Sequence, residues 1–287
     1  MAREEQSSLE GLVARIDAAS DGSIGPDAVT TGFPSLDRML GGGVRRQDLI
    51  VLGGDVASGK SSLALAITIR AASAGVPSLY LSGEMSPERV LERALALEAR
   101  VPIDELRQGR VDPATRAAVG GAAVRLRDLP WLVRPLLGER FEEVVGSLDQ
   151  VPGRSLVVVD SLQLAPAPTP AERLDERVAL VVRALKALAV ERNLAVIALG
   201  QLPAHRADRP DPRPTLDDFG VLGSVKQNAD VVLGIYREEM YRPGQGVEGA
   251  TELIVAKNRN GPTGFVDLFF YPRILRFEDM LEPSEPA

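Results

Sequence analysis

Gly53-Gly54-Asp55-Val56-Ala57-Ser58-Gly59-Lys60-Ser61-Ser62 is the stretch that decides the fold. From Gly54 to Ser61 it fits Gly-x-x-x-x-Gly-Lys-Ser. Asp48-Leu49-Ile50-Val51-Leu52 in front of it reads as a buried strand, and Leu63 to Arg70 behind it reads as a helix. Strand, glycine loop and helix in that order form a phosphate cradle, since N–H groups of the loop and of the helix N-terminus point at phosphate oxygens. Residues 54–62 are then the nucleotide-binding segment, with Lys60 reaching the β- and γ-phosphates and the Ser61 hydroxyl on Mg2+. The alternative is a chance glycine turn before a helix.

The bulk composition narrows the rest. The chain has 287 residues, enough for one large α/β domain or two small ones, and 45% of them are hydrophobic. Its apolar runs are short and broken by charge, so no membrane span is expected. Met1-Ala2-Arg3-Glu4-Glu5-Gln6 carries no apolar signal-peptide core. There is no cysteine, which excludes disulfides and thiolate metal sites, and the single histidine, His205, excludes a multi-histidine metal site. A cytoplasmic protein is expected. The net charge of −7 speaks against indiscriminate nucleic-acid binding, although a local basic groove is compatible with it.

Outward from the loop, strands and helices alternate. Residues 4–19 carry Leu9, Leu12, Val13 and Ile16 at helical spacing, a helix too short to stand alone, so it should dock on its own domain or on a neighbouring subunit. Pro34 opens a short helix ahead of Gly41-Gly42-Gly43. Strands are expected at 78–82, 131–133, 156–160, 194–199 and 230–236, and helices at 87–100, 113–126, 140–148 and 172–192. Continuous apolar strands separated by helices indicate a mostly parallel sheet covered on both faces. Strands at 251–256, 265–270 and 274–277 follow without helices, which indicates an antiparallel extension at one edge. Residues 203–216, rich in proline and arginine, read as a loop. The expected organisation is a helix and tail at 1–27, one α/β domain at 28–278 and a disordered tail at 279–287.

Candidate site residues sit where ligands bind in open parallel sheets, at strand ends. Asp160 ends an apolar strand and suits a second Mg2+ anchor, although such a carboxylate also serves as a helix cap. Glu84, in Ser82-Gly83-Glu84-Met85, suits the base that takes a proton from water, or simply faces solvent. Gln201 suits a γ-phosphate sensor, or merely begins a loop. Lys257 and Arg259 end a late strand; two cations on a turn are either solvated or serve a neighbouring subunit's site. His205 reads as a surface residue.

These residues and their order resemble the C-terminal motor domain of DnaB-type replicative helicases, a RecA-like family, over roughly residues 28–278. Thr31-Gly32-Phe33-Pro34-Ser35-Leu36-Asp37 looks like its opening motif, Ser82 to Met85 its glutamate element and Val159 to Leu164 its Walker B segment. Arg183 to Ala189 resembles its following helix, Leu199 to Leu202 its sensor and Lys257-Asn258-Arg259-Asn260-Gly261-Pro262 its Lys-x-Arg-Asn-Gly-Pro element. The resemblance implies a RecA-like P-loop ATPase using ATP and Mg2+. It also implies a homo-oligomeric ring, expected to be a hexamer, acting on single-stranded DNA. Lys257 and Arg259 would then reach the adjacent subunit's ATP site. Gly53-Gly54-Asp55 and Tyr80 to Glu84 look like the RadA/Sms branch, whose zinc-finger cysteines are missing.

Two departures stand out. Only about 28 residues precede the opening motif where the family carries a helical domain, so the residue 4–19 helix would match the family's linker helix. The family's DNA-gripping loop reads Asp-Leu-Arg-x-Ser-Gly-Ser; here it is Asp218-Phe219-Gly220-Val221-Leu222-Gly223-Ser224. Gly220 in place of arginine removes a phosphate contact. Arg206, Arg209, Arg213 and Lys226 are the remaining candidates for strand contacts, or ordinary surface charges. The leading expectation is a helicase or single-strand translocase. Its rivals are a DnaB-derived ring that regulates or scaffolds a protein partner without unwinding, and a nucleotide-gated assembly module.

Overall fold

The computed structural model describes residues 9–23, 27–136, 140–148, 155–203, 209–222, 224–244 and 247–280. The elements run α1 (Leu9–Ser20), β1 (Ala28–Val29), α2 (Pro34–Met39), β2 (Val44–Arg45), β3 (Leu49–Gly54), α3 (Lys60–Ser73), β4 (Ser78–Ser82), α4 (Pro87–Ala99), α5 (Ile103–Arg107) and α6 (Pro113–Asp128). They continue with β5 (Trp131–Pro135), α7 (Phe141–Leu148), β6 (Leu156–Asp160), α8 (Leu174–Arg192), β7 (Ala195–Gln201), α9 (Val225–Asn228), β8 (Val231–Arg237), β9 (Ala250–Asn258), β10 (Gly264–Tyr271) and β11 (Arg276–Asp279).

Nine strands form one sheet in the order β11-β10-β9-β8-β3-β7-β6-β4-β5. From β8 to β5 every pairing is parallel. From β8 to β11 every pairing is antiparallel. This is the mostly parallel sheet with an antiparallel edge extension expected from the order of strands and helices, and the RecA-like architecture that the resemblance implies. Every residue of β3, β4 and β6 is buried, as a strand covered on both faces requires. One core joins the sheet to α3 and α4. The other joins it to α7 and α8.

The opening motif turns out to be a structural staple. Asp37 accepts hydrogen bonds from the Thr31 amide (2.8 Å) and hydroxyl (2.7 Å) and from the Thr30 hydroxyl (2.5 Å). Gly32 has φ +72°, and a Cβ there would lie 2.5 Å from Arg70 Cβ. Arg70 lies 4.0 Å over the Phe33 ring and donates to the carbonyl oxygens of Gly32 and Phe277. The motif thereby ties α3 to β11.

Several short elements carry no sequence signal of their own: α5, α9 and the two-stranded β1–β2 ribbon. Within the expected loop at 203–216, residues 204–208 lie outside the described residues, and a 3-10 helix begins at Leu216 and runs to Leu222. The expected tail beyond residue 280 and the first eight residues also lie outside them. Among the described residues no helix is long and apolar enough to cross a membrane. α1 buries none of its residues, and Leu9, Leu12, Val13 and Ile16 are all exposed.

Replacing Asp37 by Ala leaves the Thr31 amide unpaired and its buried hydroxyl with only the 3.4 Å contact to the Phe33 carbonyl among the described residues. It is expected to lower stability by about 2 kcal/mol, read as a lower midpoint in urea unfolding with an unchanged slope.

Candidate nucleotide site

The register of the parallel strands brings the candidates together. Gly54 at the end of β3 pairs with Gln201 at the end of β7, and Ser82 at the end of β4 pairs with Asp160 at the end of β6. The loop Asp55–Gly59 leaves β3 at this edge and enters α3. Its path requires a left-handed residue at Gly59 (φ +102°), where a Cβ would also lie 2.9 Å from Phe277 Cζ. Ala57 is left-handed too (φ 61°), a conformation that costs a non-glycine residue about 1 kcal/mol. Its carbonyl accepts from the Arg237 guanidinium at 3.2 Å, which pins it.

Lys60 Nζ donates to the carbonyls of Gly54 (3.0 Å) and Asp55 (2.7 Å), so the ammonium lies inside the loop. Burial lowers its pKa, and the charges of Glu84, Asp160 and Asp55 oppose that shift. Asp160 is 1% exposed. Its pKa is raised, first by burial, while hydrogen bonds from Tyr80 and Ser61 pull it down. The Tyr80 hydroxyl donates to Asp160 Oδ2 at 2.7 Å, and burial beside that carboxylate raises the Tyr80 pKa well above the ordinary phenol value. Tyr80 therefore remains a donor. Glu84 is exposed and accepts from the Ser161 hydroxyl at 3.5 Å. Gln201 is exposed; its amide donates to Gln163 Oε1, and its carbonyl accepts from Gln163 Nε2 at 3.1 Å.

An open cavity of about 400 Å³ lies over the loop, walled by Lys60, Ser61, Glu84, Arg93, Gln201 and Arg237. Arg93 and Arg237 are not among the sequence candidates. Arg93 Nη2 donates to the Ser62 hydroxyl at 3.0 Å. It lies on the face of α4 that buries Val90, Ala94 and Leu97, so a cation in an otherwise apolar stripe is the available signal. Arg237 is 8% exposed, sits 4.7 Å over the Phe270 ring, pairs with Glu239, and has an Nε without a hydrogen-bond partner among the described residues.

Among the described residues no group of three or more His, Asp or Glu could hold a metal by itself. The donors present, one hydroxyl at Ser61 and one buried carboxylate at Asp160, fit Mg2+ instead. That ion keeps several waters and shares its coordination with substrate phosphates.

Lys257 and Arg259 lie elsewhere. Val231 at the start of β8 pairs with Asn258, and Ile50 at the start of β3 pairs with Val231, so both cations sit at the opposite edge of the sheet. The six residues of β3 separate the edges by about 16 Å. The Lys257 ammonium caps the carbonyls of Lys226 (2.8 Å) and Ala229 (2.5 Å), and Arg259 pairs with Asp230 at 3.1 Å. Neither reaches the phosphate loop of its own chain.

The candidate strand-contact cations are paired within the chain. Arg209 meets Asp218 at 2.7 Å, Arg213 meets Glu252 at 2.5 Å, and Lys226 meets Asp217. Arg206 and His205 lie outside the described residues. Phe219 is fully buried, and a Cβ on Gly53 would collide with its ring, so the altered loop is anchored directly against the phosphate strand.

The sequence profile of the DnaB-like helicase C-terminal domain matches residues 28–279. The chain belongs to that family. Its relatives include the replicative DNA helicase DnaB of Leifsonia xyli subsp. xyli, 36% identical over 91% of this chain and 57% of that protein. The DnaB of Pasteurella multocida is 34% identical over 96% of this chain and 61% of that protein. The chain thus spans about three fifths of the length of the curated relatives it matches. Among solved structures, an isolated ATPase domain superposes with a TM-score of 0.86 at 24% identity, covering 96% of this chain and 99% of that one. A DnaB-like replicative helicase studied with primase gives 0.84 at 24% identity, over 96% of this chain and 67% of that one. The RadB recombinase gives 0.55 at 22% identity, over 88% and 100%. At these identities the structural likeness speaks for the DnaB-like, RecA-type fold alone.

Removing the Tyr80 hydroxyl deletes a hydrogen bond that holds the Asp160 pKa down. A carboxylate must be ionised to hold a metal, so if Asp160 anchors Mg2+, Mg2+-dependent nucleotide binding fades as pH falls. Tyr80→Phe is expected to move that acidic limb to higher pH in a fluorescent-nucleotide titration.

Proposed function

We propose that the chain is a Mg2+-dependent ATPase that works as a ring, a hexamer by resemblance, in which each site lies between two subunits. The observation that carries this reading is a division of parts. Lys60, Ser61, Asp160, Glu84 and Gln201 converge on one sheet edge, while Lys257 and Arg259 project from the other. Cations so far from their own loop serve a site only if another copy brings one to them.

Each residue then has a task. Lys60 exchanges the Gly54 and Asp55 carbonyls for β- and γ-phosphate oxygens. Ser61 and Asp160 hold Mg2+, which neutralises charge on the phosphates when bound. Glu84, exposed at the mouth of the cavity, takes the proton of the attacking water. Gln201 contacts the γ-phosphate. The neighbour's Lys257 and Arg259 stabilise the charge that develops on the transferred group. Arg93 and Arg237 add positive charge to the cavity wall.

For what the energy drives, the leading reading is movement along single-stranded DNA, in keeping with relatives named as replicative DNA helicases. A second reading has specific support. Gly220 stands where the family has arginine, and Arg209, Arg213 and Lys226 are already paired with carboxylates. This favours a ring that acts on a protein partner without unwinding DNA.

ATP turnover measured with and without single-stranded DNA separates the two. Strong stimulation supports the motor, unchanged turnover supports the protein-directed ring, and no turnover in either condition removes both. Lys60→Ala should abolish hydrolysis. Arg259→Ala should lower kcat by about a thousandfold while ATP binding persists; unaltered turnover would exclude the shared site. Native mass in ATP reads the ring size.

A further inference from the structure

We infer that Asp230 is a positioning residue for the neighbour's ATP site: it holds Arg259 in the orientation from which that arginine reaches the adjacent subunit. The inference rests on the shared-site reading above.

Asp230 is a carboxylate with its side chain 3% exposed, at the foot of β8. Two cations and a backbone amide converge on it. Arg259 Nε meets Oδ1 at 3.1 Å, Lys186 Nζ meets Oδ2 at 2.6 Å, and the Leu49 amide donates to Oδ2 at 2.9 Å. The Arg259 amide also donates to the Asp230 carbonyl at 2.9 Å. Lys186 is fixed in turn by the Gln47 carbonyl at 2.7 Å.

Lys186 pairs Asp230 directly. Half-buried Asp48 adds a second carboxylate to the cluster: burial and the charge of Asp230 raise its pKa, and the charges of Lys186, Arg45 and Arg259 oppose that shift. Arg259 thus shares in balancing the cluster, and the direct contact with Asp230 also acts on Arg259 itself. Arginine on an exposed turn has a large rotamer freedom, and that freedom must be lost before it can stabilise charge elsewhere. Asp230 holds the guanidinium by Nε, the nitrogen nearest the stem. The outer Nη1 and Nη2 atoms stay at a surface where the side chain is 53% exposed, and among the described residues their one hydrogen bond is a 3.4 Å contact from Nη2 to the Gln227 carbonyl. That arrangement fixes the stem and leaves the two-pronged end available for a phosphoryl group of a second copy.

The same carboxylate also grips Leu49, the first residue of β3, whose last residue Gly54 begins the phosphate loop. The arginine offered to one neighbour is thus tethered to the strand that carries the chain's own nucleotide.

The test uses the assembled protein. Asp230→Asn is expected to lower kcat roughly tenfold while KM for ATP changes by less than about twofold, because the phosphate loop is untouched. The discriminating readout is mixing. Rings of Asp230→Asn and Lys60→Ala subunits should turn over faster than the average of the two parents, since Lys60→Ala subunits lend an intact Arg259 to Asp230→Asn sites. If such rings gain nothing while Arg259→Ala and Lys60→Ala mixtures do gain, Asp230 acts on its own chain and the inference is overturned. If Arg259→Ala mixtures also gain nothing, the shared-site reading falls and the inference with it. Should Asp230→Asn lose its cooperative melt by circular dichroism, Asp230→Glu, which keeps the charge but moves the carboxylate away from its present place against Arg259, is put through the same mixtures with the same outcomes deciding.

Discussion

Parallel pairing with aligned register is the constraint on which the molecule depends. β3, β7, β6 and β4 begin within one residue of one another and end within two, so each strand that finishes in a candidate site residue delivers it to one edge. Backbone hydrogen bonding thereby places Gly54, Gln201, Asp160 and the Gly83–Glu84 turn side by side, although 147 residues separate the first two in sequence. A one-residue slip would turn each of these side chains to the opposite face of the sheet. The apolar runs that fill both cores make such a slip costly, so core packing and site geometry are one requirement.

The readable part of this structure is the part with period and length. Strands at 78–82 and 156–160 are bounded in the fold as the apolar runs bound them, and the helices from Pro87 and Pro113 begin at those prolines. α5 and α9 are too short for a helical period to register, and the β1–β2 ribbon has two residues per strand. The phosphate loop is legible because its chemistry demands glycine, lysine and serine at fixed spacing. Arg93 and Arg237 carry no motif; the apolar stripe around Arg93 and the burial of Arg237 are what mark them. The sequence can say that Lys257 and Arg259 are a pair on a turn; the turn of β9 back along β8 is what sets them at the edge away from the loop.

Charge is managed differently at the two edges. At the phosphate edge, Asp160 is buried and has a raised pKa, and Lys60 leans on backbone carbonyls. Both groups have substitutes for partners that a triphosphate and a divalent ion would supply. At the far edge, Asp230 is fully engaged by Lys186, Arg259 and the Leu49 amide. One edge is arranged to exchange partners and the other to hold them. The same division runs through the segment from Arg209 to Lys226, where carboxylates already occupy the cations. A polyanion approaching that segment would compete with ion pairs already in place.

The helix α1 has a consequence of another kind. Twelve residues make a marginal helix in water, and α1 gains no buried side chain from its own domain. Its order and the covering of Leu9, Leu12, Val13 and Ile16 are therefore a single thermodynamic event. In the proposed ring, a second copy that took up this apolar face would spend the ordering entropy at that moment, so each such contact would be weak and reversible singly and would gain hold with the number of copies.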